Sequence, residues 1–239
     1  MSMRVTVKDV GYQQGPLTIL KNIEYTFSSG LTYVIGRNGA GKSSLLKLLT
    51  TGVVPSSGEL LYTQLVKHPQ QGTYRRLLSI EEVRRVTSYL PQEFTGYPEM
   101  TVAQFLTNAA IHKGIPRARV KARVEEMIAG ARLTEQSRRK LSKLSGGELQ
   151  KVGLVQAMIH YPRLCILDEP FEGLDLQETL YFRQQLQKLS YHAVVIVSTH
   201  QIEQIDPLGD EQVVVIKEGQ IGESGAVQRI GDLQRFFMV

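Results

Sequence analysis

The chain has 239 residues, 42% of them hydrophobic and 21% charged, with a formal net charge of +5. That size and mixture buries a core as one domain, with room for an inserted subdomain, and excludes a disordered or fibrous polypeptide. No apolar run approaches the roughly 18 residues a spanning helix needs, residues 1–8 alternate apolar and polar side chains without a signal-peptide core, and a single cysteine excludes a disulfide framework.

The pattern begins with strands. Residues 4–8 alternate with period two, and residues 23–27, 31–35 and 59–62 read as further strands, giving a β-rich start. Tyr12 follows the first of them. Directly after residues 31–35 comes Gly36-Arg37-Asn38-Gly39-Ala40-Gly41-Lys42-Ser43, which fills the pattern G-x-x-x-x-G-K-[ST] and leads into a leucine-rich helix starting near Lys42. Glycines let successive backbone N–H groups and a helix N-terminus aim at one anion, Lys42 adds a mobile charge, and the Ser43 hydroxyl can hold Mg2+. This predicts binding of a nucleoside triphosphate.

Residues 101–132 change to a helical period, with Val102, Phe105, Leu106 and Ala109 on one face. A break at Gly114-Ile115-Pro116 precedes a second helix carrying Val120, Val124, Met127 and Ile128. The pair reads as a small helical insertion. Between residues 113 and 143 ten basic residues face three glutamates, an excess of seven that exceeds the +5 of the whole chain. A solvated helical face accounts for this; docking near anionic lipid, an acidic partner and nucleic acid are the alternatives.

From Leu144 the chain alternates helix and apolar strand: helix 148–160, strand 164–167, helix 176–189 and strand 193–197, which predicts a parallel sheet with helices on both faces. Leu144-Ser145-Gly146-Gly147-Glu148 opens the first helix, Ser145 suiting an N-cap and the glycines leaving N–H groups open to an anion. Strand 164–167 holds Cys165, read as packing, and ends in Asp168-Glu169. At the carboxyl edge of an open sheet, Asp168 is placed to reach Mg2+ and Glu169 to polarise an attacking water. Asp175 suits a cap of the next helix, and Ser198-Thr199-His200 ends the last strand. Residues 212–223 read as a hairpin turning at Glu218-Gly219, with short helices after it.

Together these motifs resemble the nucleotide-binding subunit of an ATP-binding cassette (ABC) transporter, in family order over essentially the whole chain. Residues 144–148 match the signature, Gln92 in Tyr89-Leu90-Pro91-Gln92 the Q-loop, Gly173-Leu174-Asp175 the D-loop and His200 the switch histidine. The resemblance implies an α/β P-loop NTPase fold of one domain over residues 1–239. Its core comprises residues 1–92 and 145–239, with a mostly parallel sheet and an N-terminal antiparallel β subdomain; residues 93–144 form a small helical subdomain.

It further implies ATP hydrolysis with Mg2+, catalysed by Glu169, His200, Lys42 and Gln92. The nucleotide would be bound by Tyr12, stacking on adenine, by Gly36, Asn38, Gly39, Ala40, Gly41, Lys42, Ser43 and Ser44, and by Ser145, Gly146, Gly147 and Asp175 of a second subunit or its interface. Ser43, Gln92 and Asp168 would hold the metal. Implied partners are a second ATP-binding subunit, identical or a close paralogue, and membrane-embedded permease subunits; no nucleic acid is expected, and the location is cytoplasmic, peripheral on the inner membrane face. Residues 89–101, Phe105-Leu106 and Lys113-Gly114-Ile115 look most like bacterial drug and peptide exporter subunits. The other class is an ABC ATPase of a soluble machine, serving DNA maintenance or cofactor assembly. Ser44 stands where threonine is commoner in the family, and Lys151 where many members carry arginine. No segment before Ser145 resembles the extra motif of fused exporters.

Overall fold

The computed structural model describes residues 2–68, 72–200, 202, 205, 210–230 and 233–236. Among these, ten strands form two sheets. β1 (Met3–Gln14), β2 (Leu17–Ser28), β4 (Ser57–His68) and β5 (Gly72–Leu77) make an antiparallel sheet in the order β2-β1-β4-β5. The second contains β3 (Gly30–Ile35), β6 (Thr87–Leu90), β7 (Leu164–Asp168), β8 (Val194–Thr199), β9 (Gln212–Lys217) and β10 (Gln220–Ala226), in the order β10-β9-β3-β8-β7-β6. Its strands run parallel except for β10, which turns back on β9 through Glu218 and Gly219, both at positive φ (51° and 77°), as a primed hairpin turn requires.

Both faces of the second sheet are buried, and the pleat divides its side chains between two clusters. Leu31, Tyr33 and Ile35 of β3, Cys165 and Leu167 of β7, and Val195 and Val197 of β8 enter one cluster. Val34, Leu164, Ile166, Val194 and Ile196 enter the other. The first cluster takes in α3 (Val102–His112), α4 (Arg117–Gly130), α5 (Gly146–Met158) and α6 (Leu176–Ser190). The second takes in α1 (Lys42–Leu49) and the inner face of the antiparallel sheet. Helices thus lie on both faces, as expected, and on one of them the antiparallel sheet joins α1 in the cover. Cys165 is fully buried, and burial pushes its thiol up to about 12, so it packs and does not react.

Several elements exceed or escape the expected pattern. β1 runs past residue 8 because register shifts between Val7, Val10 and Tyr12, with Asp9 at φ 48°, break the period-two alternation while pairing continues. Tyr12 therefore lies within the strand, opposite Leu20. β5 is an edge strand with largely exposed side chains, β6 has four residues, and α2 (Ile80–Val86) has seven, so none carries a long hydrophobic period. In α3 the buried stripe is completed by Ala110, with Ala109 half-buried.

Much of the basic segment is tethered to the fold. Lys113 Nζ donates to the Thr87 carbonyl at 2.7 Å, Arg123 Nε to that of Ile159 at 3.1 Å, and Arg132 to Gln177 Oε1 at 2.8 Å. Lys140 pairs with Glu99 and Arg139 with Glu148. A solvated face describes only part of this segment.

Candidate active site

The carboxyl ends of β3, β7 and β8 converge on one site. After β3 the backbone turns at Gly36, where φ is 154° and a Cβ would lie 2.3 Å from the Ile216 carbonyl oxygen of β9, so any side chain there displaces backbone. The loop is held behind by the β9–β10 turn, whose Gly219 N–H donates to the Ala40 carbonyl at 3.2 Å. α1 then begins at Gly41, which has no side chain to cap it, and its first turn carries no acid. Four other helices begin with reciprocal capping boxes, at Ser79/Glu82, Thr101/Gln104, Ser145/Glu148 and Asp175/Glu178. The first N–H groups of α1 are thus left for an external anion. Asn38 and Gly39 are exposed, Ala40 is buried, and Ser43 and Ser44 are half-buried at the helix mouth.

Lys42 is 7% exposed, and its Nζ donates to the carbonyls of Gly36 at 2.8 Å and Arg37 at 3.4 Å, with Glu169 Oε1 at 4.0 Å. Burial lowers the Lys42 pKa; the nearby Glu169 and Asp168 carboxylates oppose that shift without cancelling it.

Asp168 and Glu169 close β7 as buried acids. Ser198, at the parallel position on β8, joins them: its hydroxyl donates to Asp168 Oδ1 at 2.5 Å and accepts from the Glu169 backbone N–H at 3.0 Å. Glu169 adopts φ 48°, a left-handed conformation that costs a non-glycine residue on the order of 1 kcal/mol or more. That conformation turns its carboxylate back toward β8, where Oε1 lies 3.0 Å from His200 Nδ1 and Oε2 accepts from the His200 N–H at 3.3 Å. Gln150 Nε2, from α5, donates to the Pro170 carbonyl at 3.0 Å and fixes the turn that follows. Sequence reasoning missed Ser198 and Gln150. A hydroxyl two residues before His200 was the visible signal for the former, whereas the latter is one polar residue on a mostly buried helix face.

The remaining expected residues lie apart from this cluster. Ser145 Oγ accepts from the Glu148 N–H at 3.3 Å and the Ser145 N–H donates to Glu148 Oε2 at 2.8 Å. Ser145 and Gly146 are exposed. Gly147 is pressed to the Gly173 carbonyl, which a Cβ would approach to 2.6 Å. Asp175 caps α6, and Glu178 of that box pairs with Lys151 of α5 at 2.6 Å, largely buried, so the ammonium serves without a guanidinium fork. Among the described residues no hydrogen bond or ion pair joins residues 145–148 to residues 36–44. Gln92 is exposed and Tyr12 half-buried against the core, neither touching the acid cluster by a hydrogen bond.

A hydroxyl carries one proton beside its acceptor lone pairs, so Ser145 can cap its helix and still donate to a ligand. Among the described residues no group of three or more His, Cys, Asp or Glu side chains could hold a metal alone. Ser43 and the Asp168 carboxylate still fit Mg2+, which takes one or two protein oxygens and completes its shell with phosphate oxygens and water.

A family model described as ABC transporter matches residues 20–172. The chain is 31% identical over 233 residues to the sulfate/thiosulfate import ATP-binding protein CysA of Thermosynechococcus vestitus, covering 96% of this chain and 66% of that protein. It is 30% identical over 218 residues to the uncharacterized ABC transporter ATP-binding protein YxlF of Bacillus subtilis, covering 90% of this chain and 68% of that protein. The chain thus spans about two thirds of the length of these relatives. Among solved structures, an ATP-binding subunit of an ABC transporter superposes with a TM-score of 0.81 at 25% identity, covering 98% of this chain and 92% of that one. The dimeric ATP-binding cassette MJ0796 bound to ADP and Pi superposes at 0.77 and 23% identity, covering 93% and 98%, a likeness of fold.

Proposed function

The chain belongs to the ABC transporter family and carries its ATPase cassette, with ATP and Mg2+ as ligands, and from that premise we propose that it powers transport through a separate membrane permease. The observation that carries this reading is the convergence of Lys42, Asp168, Glu169 and His200 at the carboxyl ends of three adjacent parallel strands, beside an uncapped helix N-terminus.

Residues 36–44 bind the phosphates through backbone N–H groups and the Lys42 ammonium. Ser43, Asp168 and Gln92 would hold Mg2+, which would supply charge neutralisation at the phosphates. Glu169 takes the proton of the attacking water, and His200 orients that carboxylate from the neighbouring strand. Tyr12 stacks on adenine. Two copies, or this chain and a paralogue, pair so that exposed Ser145 and Gly146, with half-buried Gly147, of one complete the phosphate site of the other, with Asp175 at the interface. ATP then favours the closed pair by differential contact, and hydrolysis removes that preference.

Residues 93–144 form the permease-facing subdomain, with Gln92 as the link between the metal and that surface. No helix among the described residues is long and apolar enough to cross a membrane, which suits a subunit held peripherally at the inner face by its permease. The likeness of residues 89–101 to exporter subunits favours export of a drug, peptide or similar compound; the CysA relative is named for import. Recovery of the chain from membranes with a polytopic protein supports the assignment, and flux in inside-out vesicles of that complex gives the direction. Recovery solely with soluble proteins or nucleic acid supports the soluble-machine alternative.

A further inference from the structure

At the opposite end of the sheet, a cleft of about 720 Å3 opens where the chain enters β7 and β8. Its volume lies in the range of small-molecule sites, about 300–1,000 Å3. Arg163 and His192 line it immediately before those strands, and Lys188 lines it from the last turn of α6. The one acid in the lining, Glu126, is engaged by Arg123 at 3.1 Å. Arg123 also lies over the Tyr161 ring, 4.1 Å from its centroid, and its Nε is bound by the Ile159 carbonyl. Tyr161 lines the cleft mouth, 67% exposed with one ring face covered by Arg123, and its φ of 52° carries a conformational cost. Met158 and Leu189 add apolar walls.

With Arg123 and Glu126 cancelling, Arg163 and Lys188 leave two positive charges. The nearby carboxyl ends of α5 and α6 each carry about half a negative charge, so the cleft stays net positive. We propose that this cleft is a second ligand site, distinct from the nucleotide site, for a planar anionic compound whose ring lies on Tyr161 and whose charged group meets Arg163 and Lys188.

The chain contains no tryptophan, so Tyr161→Trp places a sole fluorophore at the cleft mouth. The probe is 8-anilinonaphthalene-1-sulfonate, titrated into that full-length variant with the nucleotide site filled by excess ADP and Mg2+. Saturable quenching of the tryptophan is expected, with affinity falling about fivefold for each charge removed by Arg163→Gln or Lys188→Gln. Thermal unfolding of each variant, unchanged within a few degrees, separates lost binding from lost folding. Quenching that does not saturate, or that keeps its affinity in both charge variants, overturns the proposal. The extrinsic dye signal in the wild-type chain provides the second reading: it should weaken in Tyr161→Ala, and equal binding there also overturns it.

Discussion

His200 grips both oxygens of one carboxylate: its Nδ1 lies 3.0 Å from Glu169 Oε1, and its backbone N–H donates to Glu169 Oε2 at 3.3 Å. A buried acid at the end of β7 is therefore aimed by the end of β8, so the carboxylate proposed to activate water is set by a neighbouring strand.

Glu169→Gln keeps the shape and the contact with the His200 N–H but removes the proton acceptor. Steady-state ATP hydrolysis should fall by about 10²- to 10⁴-fold while equilibrium binding of ATP, followed with a fluorescent analogue, stays within a few-fold of the parent. Undiminished turnover removes Glu169 from the mechanism.

Ser198 satisfies two buried groups at once, the Asp168 carboxylate and the Glu169 N–H. Ser198→Ala strips the Asp168 carboxylate of its hydroxyl donor, while the Glu169 N–H keeps its bond to the Ser198 carbonyl at 3.2 Å; the loss is about 1–3 kcal/mol in unfolding free energy, and the Mg2+ dependence of hydrolysis should also weaken. Denaturant unfolding measures the first and a metal titration the second; wild-type values in both contradict the role given to Ser198.

Gly147 has no room for a side chain against the Gly173 carbonyl. Gly147→Ala should cost about 1–3 kcal/mol in overpacking and move the signature relative to the D-loop, so turnover falls further than stability does. A variant with parental activity shows that this close approach is dispensable.

His160, at the end of α5, is held neutral: burial, with Lys113 nearby, pushes its pKa down to about 4 from 6.5, and its Nδ1 is buried without a partner. The unfolded chain takes up this proton as pH falls below 6.5 while the native chain resists until about 4. The stability contribution is therefore intact above pH 6.5 and lost as the pH falls from 6.5 to about 4. Urea midpoints for the parent and His160→Gln should converge across that window; parallel curves assign the acid sensitivity elsewhere.

The phosphate loop, the acid pair and the Ser145 and Asp175 helix caps were legible because each is a local device whose residue types are dictated within a few positions. Residues such as Ser198 and Gln150 act across the fold, and their partners are set by strand order, which local spacing does not encode. β5 and β6 escaped for another reason: one is an exposed edge and the other has four residues, so neither imposes a hydrophobic period. Tyr12 was placed beyond its strand because a bulge hides continued pairing from an alternation test. The tie from α5 to α6 through Lys151 and Glu178 likewise joins positions 27 residues apart.

Within one chain the signature makes no hydrogen bond or ion pair to the phosphate loop among the described residues, so completing the nucleotide site falls to a second chain in the proposed mechanism. Light scattering of the Glu169→Gln protein tests this most directly. With ATP and Mg2+ the mass should rise from one chain to two, and Ser145→Arg in the same background should hold it at one. A single-chain mass with ATP bound at full occupancy contradicts the shared site.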